Sequence, residues 1–327
     1  TIPPDSSADV LVTVNAEGVE YGAYTDTIIF YSNDPLNGEL EVPVSMTVTE
    51  TVHSDFTADQ TSGIDTLTVQ FTDLSTGDYD SFYWEFGDGD TSTEQNPVHT
   101  YTHDENTREM SFTVSMTVNG NGGEDTEIKE NYITIYHPVF VDFTADTLTG
   151  IDTLEVNFTS TPEGDYDTFL WDFGDGTTST EQNSIHVYSL SGGSSEIFTV
   201  SLNISGNGGE YTEIKSNYIT IYASVISEFT SDQTSGIGTL TVQFTDLSTG
   251  DYDSFYWGFG DGDTSTEQNP THTYTFSDRV ENFTVTLTVS GNGGTDTEIK
   301  EDYITLFAPA QISISPSSLS FDIDLEN

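Results

Sequence analysis

Three histidines return at one place in a repeating pattern, as His99-Thr100-Tyr101, His186-Val187-Tyr188 and His272-Thr273-Tyr274. An imidazole can move protons or bind a metal near neutral pH. Hydrolysis would need a nucleophile and an orienting acid beside each ring. No such constellation is signalled, so the histidines are expected to be structural or exposed strand residues, and the chain is expected not to be an enzyme. His53, His103 and His137 have no counterparts in the other copies, so they suggest no shared metal cluster. The acids offer a second chemistry. Asp88 and Asp90, Asp175, and Asp261 and Asp263 flank glycines, and hard carboxylate oxygens suit Ca2+. The twelve-residue calcium loop ending in glutamate is not met, and Thr177 replaces the second aspartate in the middle copy. The competing reading is a turn whose aspartate bonds its own backbone. Asp78 and Asp80, Asp165 and Asp167, and Asp251 and Asp253 could contribute from a neighbouring loop. Asn157, Asn203 and Asn282 open Asn-x-Ser/Thr tripeptides, the acceptor form for glycosylation. The aromatic runs around Trp84, Trp171 and Trp257 could make a sugar platform, against the plainer expectation of core residues beneath a turn.

The elements that must carry these residues follow from periodicity. Tryptophans at 84, 171 and 257 and lysines at 129, 215 and 300 mark a unit of about 86 residues, present three times. Within the first copy, Leu67, Val69 and Phe71, then Phe82, Trp84 and Phe86, then Phe112, Val114, Met116 and Val118 alternate with polar residues. Period two without a sustained helical period predicts antiparallel strands. The expected fold is all-β: tandem Ig-like antiparallel β-sandwiches arranged as a rod. Asp88-Gly89 and Asn119-Gly120-Asn121-Gly122-Gly123 read as turns that tolerate positive φ. The expected divisions are a partial sandwich over 1–50, repeats over 51–137, 138–222 and 223–308, and a C-terminal strand over 309–327. In the first segment, Val10 to Val14, Tyr21 to Ser32, and Leu40 to Val48 read as three strands. Pro43 favours an edge position or a bulge.

Composition excludes whole classes of function. There are 56 acidic against 5 basic residues, a formal charge of −51. Nucleic acid and anionic membrane surfaces both need a basic footprint, so neither is an expected partner. No apolar run approaches the ~20 residues of a membrane-spanning helix. The absence of cysteine removes disulfides, thiolate zinc sites and thiol catalysis. The chain starts Thr1-Ile2-Pro3-Pro4, which reads as a processed product or a window of something longer.

The run Trp84-Glu85-Phe86-Gly87-Asp88-Gly89, followed by Asn96-Pro97-Val98-His99-Thr100-Tyr101, resembles the polycystic kidney disease (PKD) domain family. The resemblance covers residues 51 to 308. It implies an Ig-like sandwich in each copy and an extracellular or cell-surface setting. It also implies use as a spacer or a carbohydrate-contacting module of a secreted enzyme, with cell-surface glycans as partners. Copy two departs by lacking the Asn-Pro step, and the glycine usual before the Phe-x-Val strand is missing at Phe112, Phe198 and Phe283. The two ends resemble complementary halves of a bacterial or archaeal Ig-like surface module: residues 12–35 its C-terminal half, residues 314–321 its first strands.

From these halves follows an expected assembly. Ile312, Ile314, Leu319, Phe321, Ile323 and Leu325 make an amphipathic strand. The acceptor would be a half-domain carrying Val10, Val12, Val14, Ile28, Phe30, Val42, Val44 and Met46. A strand added across copies gives a head-to-tail homo-oligomer, an extracellular filament or layer. The same halves would be seen in a window cut from a longer repeat polypeptide.

Overall fold

The computed structural model describes residues 8–32, 35–36, 38–277 and 279–310. Every element among them is a strand, so no helix long and apolar enough to cross a membrane occurs there. The chain groups into two compact units. One holds the chain up to Phe140 with Glu163–Asp167 and Ser205–Glu210; the other holds Val141–Pro162, Thr168–Ile204 and the chain from Tyr211.

In the first unit, β1 (Gly22–Tyr31) and β2 (Glu39–Val48) form a two-stranded antiparallel sheet of their own. The register places Tyr24, Asp26, Ile28 and Phe30 on one face, opposite Met46, Val44, Val42 and Leu40, while Thr25, Thr27, Ile29 and Tyr31 share the other with Ser45, Pro43, Glu41 and Glu39. Pro43 disturbs nothing, because both strands are edges and the pairing runs through it opposite Thr27 without a shift. Val10 to Val14, expected as a strand, is not one. Those residues pair with no strand, and Val10, Val12 and Val14 lie exposed. Period-two patterning makes a strand only where a ladder partner accepts its amides. Ile312 to Leu325 lie outside the described residues.

The first repeat is a two-layer sandwich. Its strands are β3 (Phe56–Ala58), β4 (Ser62–Ile64), β5 (Thr66–Asp73), β6 (Ser81–Glu85), β7 (Thr91–Ser92), β8 (Val98–Thr102), β9 (Glu109–Gly120) and β10 (Gly123–Tyr136). One layer runs β3-β5-β8 and the other β4-β10-β9-β6-β7. The leading edge switches layers: β3 pairs antiparallel with β5, whereas β4 pairs parallel with the last strand, β10. The third repeat reproduces both layers and the parallel pairing of 235–237 with 305–307. The second pairs 149–151 with 220–222 in the same way. There an Ile151–Thr153 pairing joins the layers, and one strand runs on through Thr153–Glu163 where the other copies stop at Asp73 and Asp246.

The alternating apolar residues meet between the layers. Trp84, Trp171 and Trp257 are fully buried, and each indole N–H donates to a backbone carbonyl, of Glu94, Glu181 and Glu267 at 2.8–2.9 Å. They are core residues, and the sugar-platform expectation for them falls on burial alone. Around Trp84 the rings of Phe56 and Phe71 sit 5.1 and 5.4 Å away.

The lysine that keeps the repeat's beat clamps the start of each sandwich. Lys129 Nζ lies 3.1 Å from Asp55 Oδ1, donates to the Phe56 carbonyl and covers the Phe56 ring at 4.6 Å. Lys215 pairs with Asp142 at 2.8 Å over Phe143, and Lys300 with Glu228 at 2.6 Å over Phe229. The lysine ammonium and the following backbone amide hold Asp55, Asp142 and Glu228 below the ordinary carboxylate range. A folded-state value below the unfolded one contributes stability above the unfolded value, and the contribution disappears as pH falls through the lowered one. For Glu228 that window starts near its ordinary 4.5 and extends downward. Replacing Lys300 with Met should therefore flatten the acid limb of stability for the third repeat. Denaturant titrations from neutral pH down through this window read the slope. An unchanged slope would mean that the pair contributes nothing beyond the general relief of negative charge. The effect is small, because the carboxylate is half exposed.

Candidate functional site

The strongest chemistry sits on the turn after β6. Phe86 ends the buried run. Gly87 and Gly89 then take φ of +87° and +103°, and these left-handed conformations fold the chain back to β7. Asp88 between them accepts the Asp90 amide on Oδ1 at 3.0 Å, the self-bonded turn expected for this aspartate. Its other oxygen meets His99 of β8: Nε2 lies 2.6 Å from Asp88 Oδ2. The same pair recurs as His186–Asp175 and His272–Asp261, each at 2.7 Å.

Packing sets the imidazole. His99 stacks on Phe86 with centroids 4.1 Å apart and planes 3° from parallel, and it meets Tyr101 edge-on at 4.7 Å. Copies two and three repeat both contacts within 0.2 Å. Only 10–14% of each histidine side chain is exposed, with Nε2 directed at the turn. Tyr101, Tyr188 and Tyr274 donate from beneath to the carbonyls of Phe86, Phe173 and Phe259. Burial, and secondarily the nearby aspartate, pushes these phenols well above their ordinary range, so they remain neutral donors.

In copies one and three the second aspartate joins the pair. One ligand atom each from Asp88, Asp90 and His99 lies within 4.8 Å of the others, and so do those of Asp261, Asp263 and His272. In copy two, Thr177 Oγ1 instead donates to Asp175 Oδ1 at 2.6 Å. Burial would raise the Asp175 carboxyl, but hydrogen bonds from Thr177 and His186 outweigh it and hold it low. Asp78, Asp165 and Asp251 do not reach these turns. They precede the tryptophan strand while Asp88, Asp175 and Asp261 follow it, and their backbones bind elsewhere: Asp78 N to Glu50 O at 3.2 Å, and its carbonyl to Gly122 N at 2.8 Å. A five-residue strand of roughly 17 Å separates the two loops.

The glycosylation tripeptides fall in strands. The Asn157 amide donates to Asp146 at 2.7 Å and that of Asn203 to Thr212 at 2.7 Å, while Asn282 Oδ1 accepts from Thr305. The histidine–aspartate pair was missed from sequence, although a signal existed: aspartate and histidine stand 11 residues apart in every copy.

The layers, the leading strand that changes sheets and the repeated ring stack define tandem immunoglobulin-like β-sandwich modules. The chain belongs to the PKD domain family: the model of the PKD domain matches residues 47–135, 137–221 and 225–306. The match does not extend to residues 1–46 or 307–327. Domains of this family are usually found in extracellular or surface proteins. Among solved structures, the chain is similar to an I-band fragment of titin, with 10% identity and a TM-score of 0.52 over 81% of this chain and 100% of that one. A mutated three-immunoglobulin fragment of titin gives 10% identity and a TM-score of 0.51. At that identity the likeness is one of fold. The PKD1 domain of Vibrio anguillarum Epp is 26% identical over 26% of this chain and 96% of that one, with a TM-score of 0.22.

Proposed function

We propose that this chain is a non-enzymatic extracellular structural protein whose PKD modules are joined head to tail by strand complementation. One observation carries the reading. The β1–β2 sheet has one largely apolar face, interrupted by Asp26 opposite Val44, and that face is wet: Leu40, Val42 and Val44 are 62%, 37% and 38% exposed, with Ile28, Phe30 and Met46 half-buried beside them. A two-stranded sheet is marginal alone, and an uncovered apolar face with free edges calls for another strand. The occupant is segment 312–325 of a second copy, whose Leu319, Phe321, Ile323 and Leu325 alternate with Ser320, Asp322 and Asp324. Burying those four side chains would contribute on the order of 6–10 kcal/mol before ordering costs. A tail that fills the next copy's leading sheet is a heterologous contact, which propagates instead of closing.

A spacer or adhesion module of a larger secreted or surface protein is the competing reading, and tandem Ig-like modules favour it equally. In that case the half-sandwich is completed within one longer polypeptide. Electron microscopy of residues 1–327 beside 1–308, with and without calcium, separates the two. Filaments from the longer chain that vanish on truncation and with Phe321→Asp are the expected result. Monomers from all three would overturn strand donation and leave the spacer.

A further inference from the structure

We propose that the first and third modules each hold one zinc-class divalent cation, on Asp88, Asp90 and His99 and on Asp261, Asp263 and His272, and that the second module does not. The carboxylates alone pointed to calcium, which takes six to eight oxygens. The fold adds a nitrogen ligand to them. An imidazole with two carboxylates suits zinc, cobalt or nickel better than a hard, oxygen-seeking ion.

The imidazole is an observation independent of the acids. It comes from another strand, β8, and it is clamped on its face by Phe86 and at its edge by Tyr101. That clamp fixes which nitrogen looks out, as a ligand histidine requires. Its Nε2 lies within hydrogen-bonding distance of Asp88 Oδ2, at 2.6 Å. Zinc bonds of about 2.0–2.2 Å to N and O in tetrahedral geometry place the two donors about 3.4 Å apart. Exchanging the proton of that hydrogen bond for a metal therefore requires an opening of about 0.8 Å, within reach of a side-chain rotation of the exposed Asp88. Both aspartates of each group are exposed, which leaves that side open to an ion and to water ligands. One divalent charge would neutralise the two aspartates in a chain of net −51.

Copy two supplies the internal contrast. Its histidine pair and ring stack are the same, but the third ligand is Thr177, whose hydroxyl already bonds Asp175. The pair alone thus serves structure, and the added aspartate turns it into a site.

Zinc titration of the full chain by calorimetry, in excess calcium and salt to saturate the diffuse acidic surface, tests this. Two sites per chain are expected. Asp90→Thr, which copies the natural second module and so keeps the fold, should leave one. Thr177→Asp should give three. Cobalt substitution should show the visible bands of a low-symmetry nitrogen and oxygen site, lost in part with His99→Ala. The proposal is overturned if zinc is displaced by calcium, if Asp90→Thr leaves the stoichiometry unchanged, or if the unaltered chain already binds three.

Discussion

Trp84→Ala should cost the first module about 3–5 kcal/mol, the range for removing a large buried aromatic. The indole is fully buried at the centre of a cluster with Phe56, Phe71, Phe86 and Met116. It touches Phe56 edge-on, tilts against Phe71 and stacks on Phe86. Alanine would leave a cavity that rigid rings and paired strands cannot close, and it would remove the donor to the Glu94 carbonyl. Single domains are stable by only about 5–15 kcal/mol, so most of the first module's margin would go. The third module keeps a separate core around Trp257 and should keep its own transition. Calorimetry should therefore show one transition moving down while another stays. The two remaining tryptophans report fluorescence from the untouched copies. A loss below about 1 kcal/mol would remove Trp84 from the centre of the core.

The core was legible because alternation and burial share one period: residues read as inward-facing, such as Val69, Phe71, Val114 and Met116, are those at 0% exposure. The strand read at Val10 to Val14 fails for a reason that alternation cannot express. A strand exists by its partner, and alternation says nothing of whether a neighbour accepts its amides. The lysine beat was visible, but its meaning was not. Lys129 reaches Asp55 across 74 residues, and only the closing of the β10 layer over the start of β3 brings them together. The same limit hid the histidine–aspartate pair. Each residue had a local reading, and the β6 turn and β8 meet only once the two layers close over Phe86.

The glycine runs show best where a local reading stops short. In Asn119-Gly120-Asn121-Gly122-Gly123 the turn signal was right, but only Gly123 takes a positive φ. Gly122 is glycine because of what it touches: a Cβ there would lie 1.9 Å from the Glu50 carbonyl oxygen. Its counterparts Gly208 and Gly293 would meet the carbonyls of His137 and Ala223 at 2.0 and 1.9 Å. Each sits in a closed backbone clasp. In the third copy, Asp251 N donates to Ala223 O at 3.1 Å, Gly293 N to Asp251 O at 2.9 Å, and Val225 N to Gly293 O at 3.1 Å. The clasp fastens the segment leading into each module to two of its loops. In the second copy its partners are His137, Asp165 and Gly208, which explains why those loops group with the first unit.

Gly293→Ala should therefore destabilise the third module by about 2–4 kcal/mol. The added methyl meets backbone on an unyielding side, and relieving it breaks two or three hydrogen bonds of about 1 kcal/mol each. Gly192→Ala is the matched control, because its Cβ would meet nothing within 4 Å, and it should stay within about 0.5 kcal/mol. Hydrogen exchange should show the Val225 and Gly293 amides losing protection first, while Leu287 and Val289 in the core strand hold theirs. Equal effects from the two substitutions would mean that the close approach at Gly293 is relieved without breaking the clasp. Unequal effects would identify the clasp as the device that fixes where each module begins, and the segment before it as chain held by three hydrogen bonds and a missing side chain.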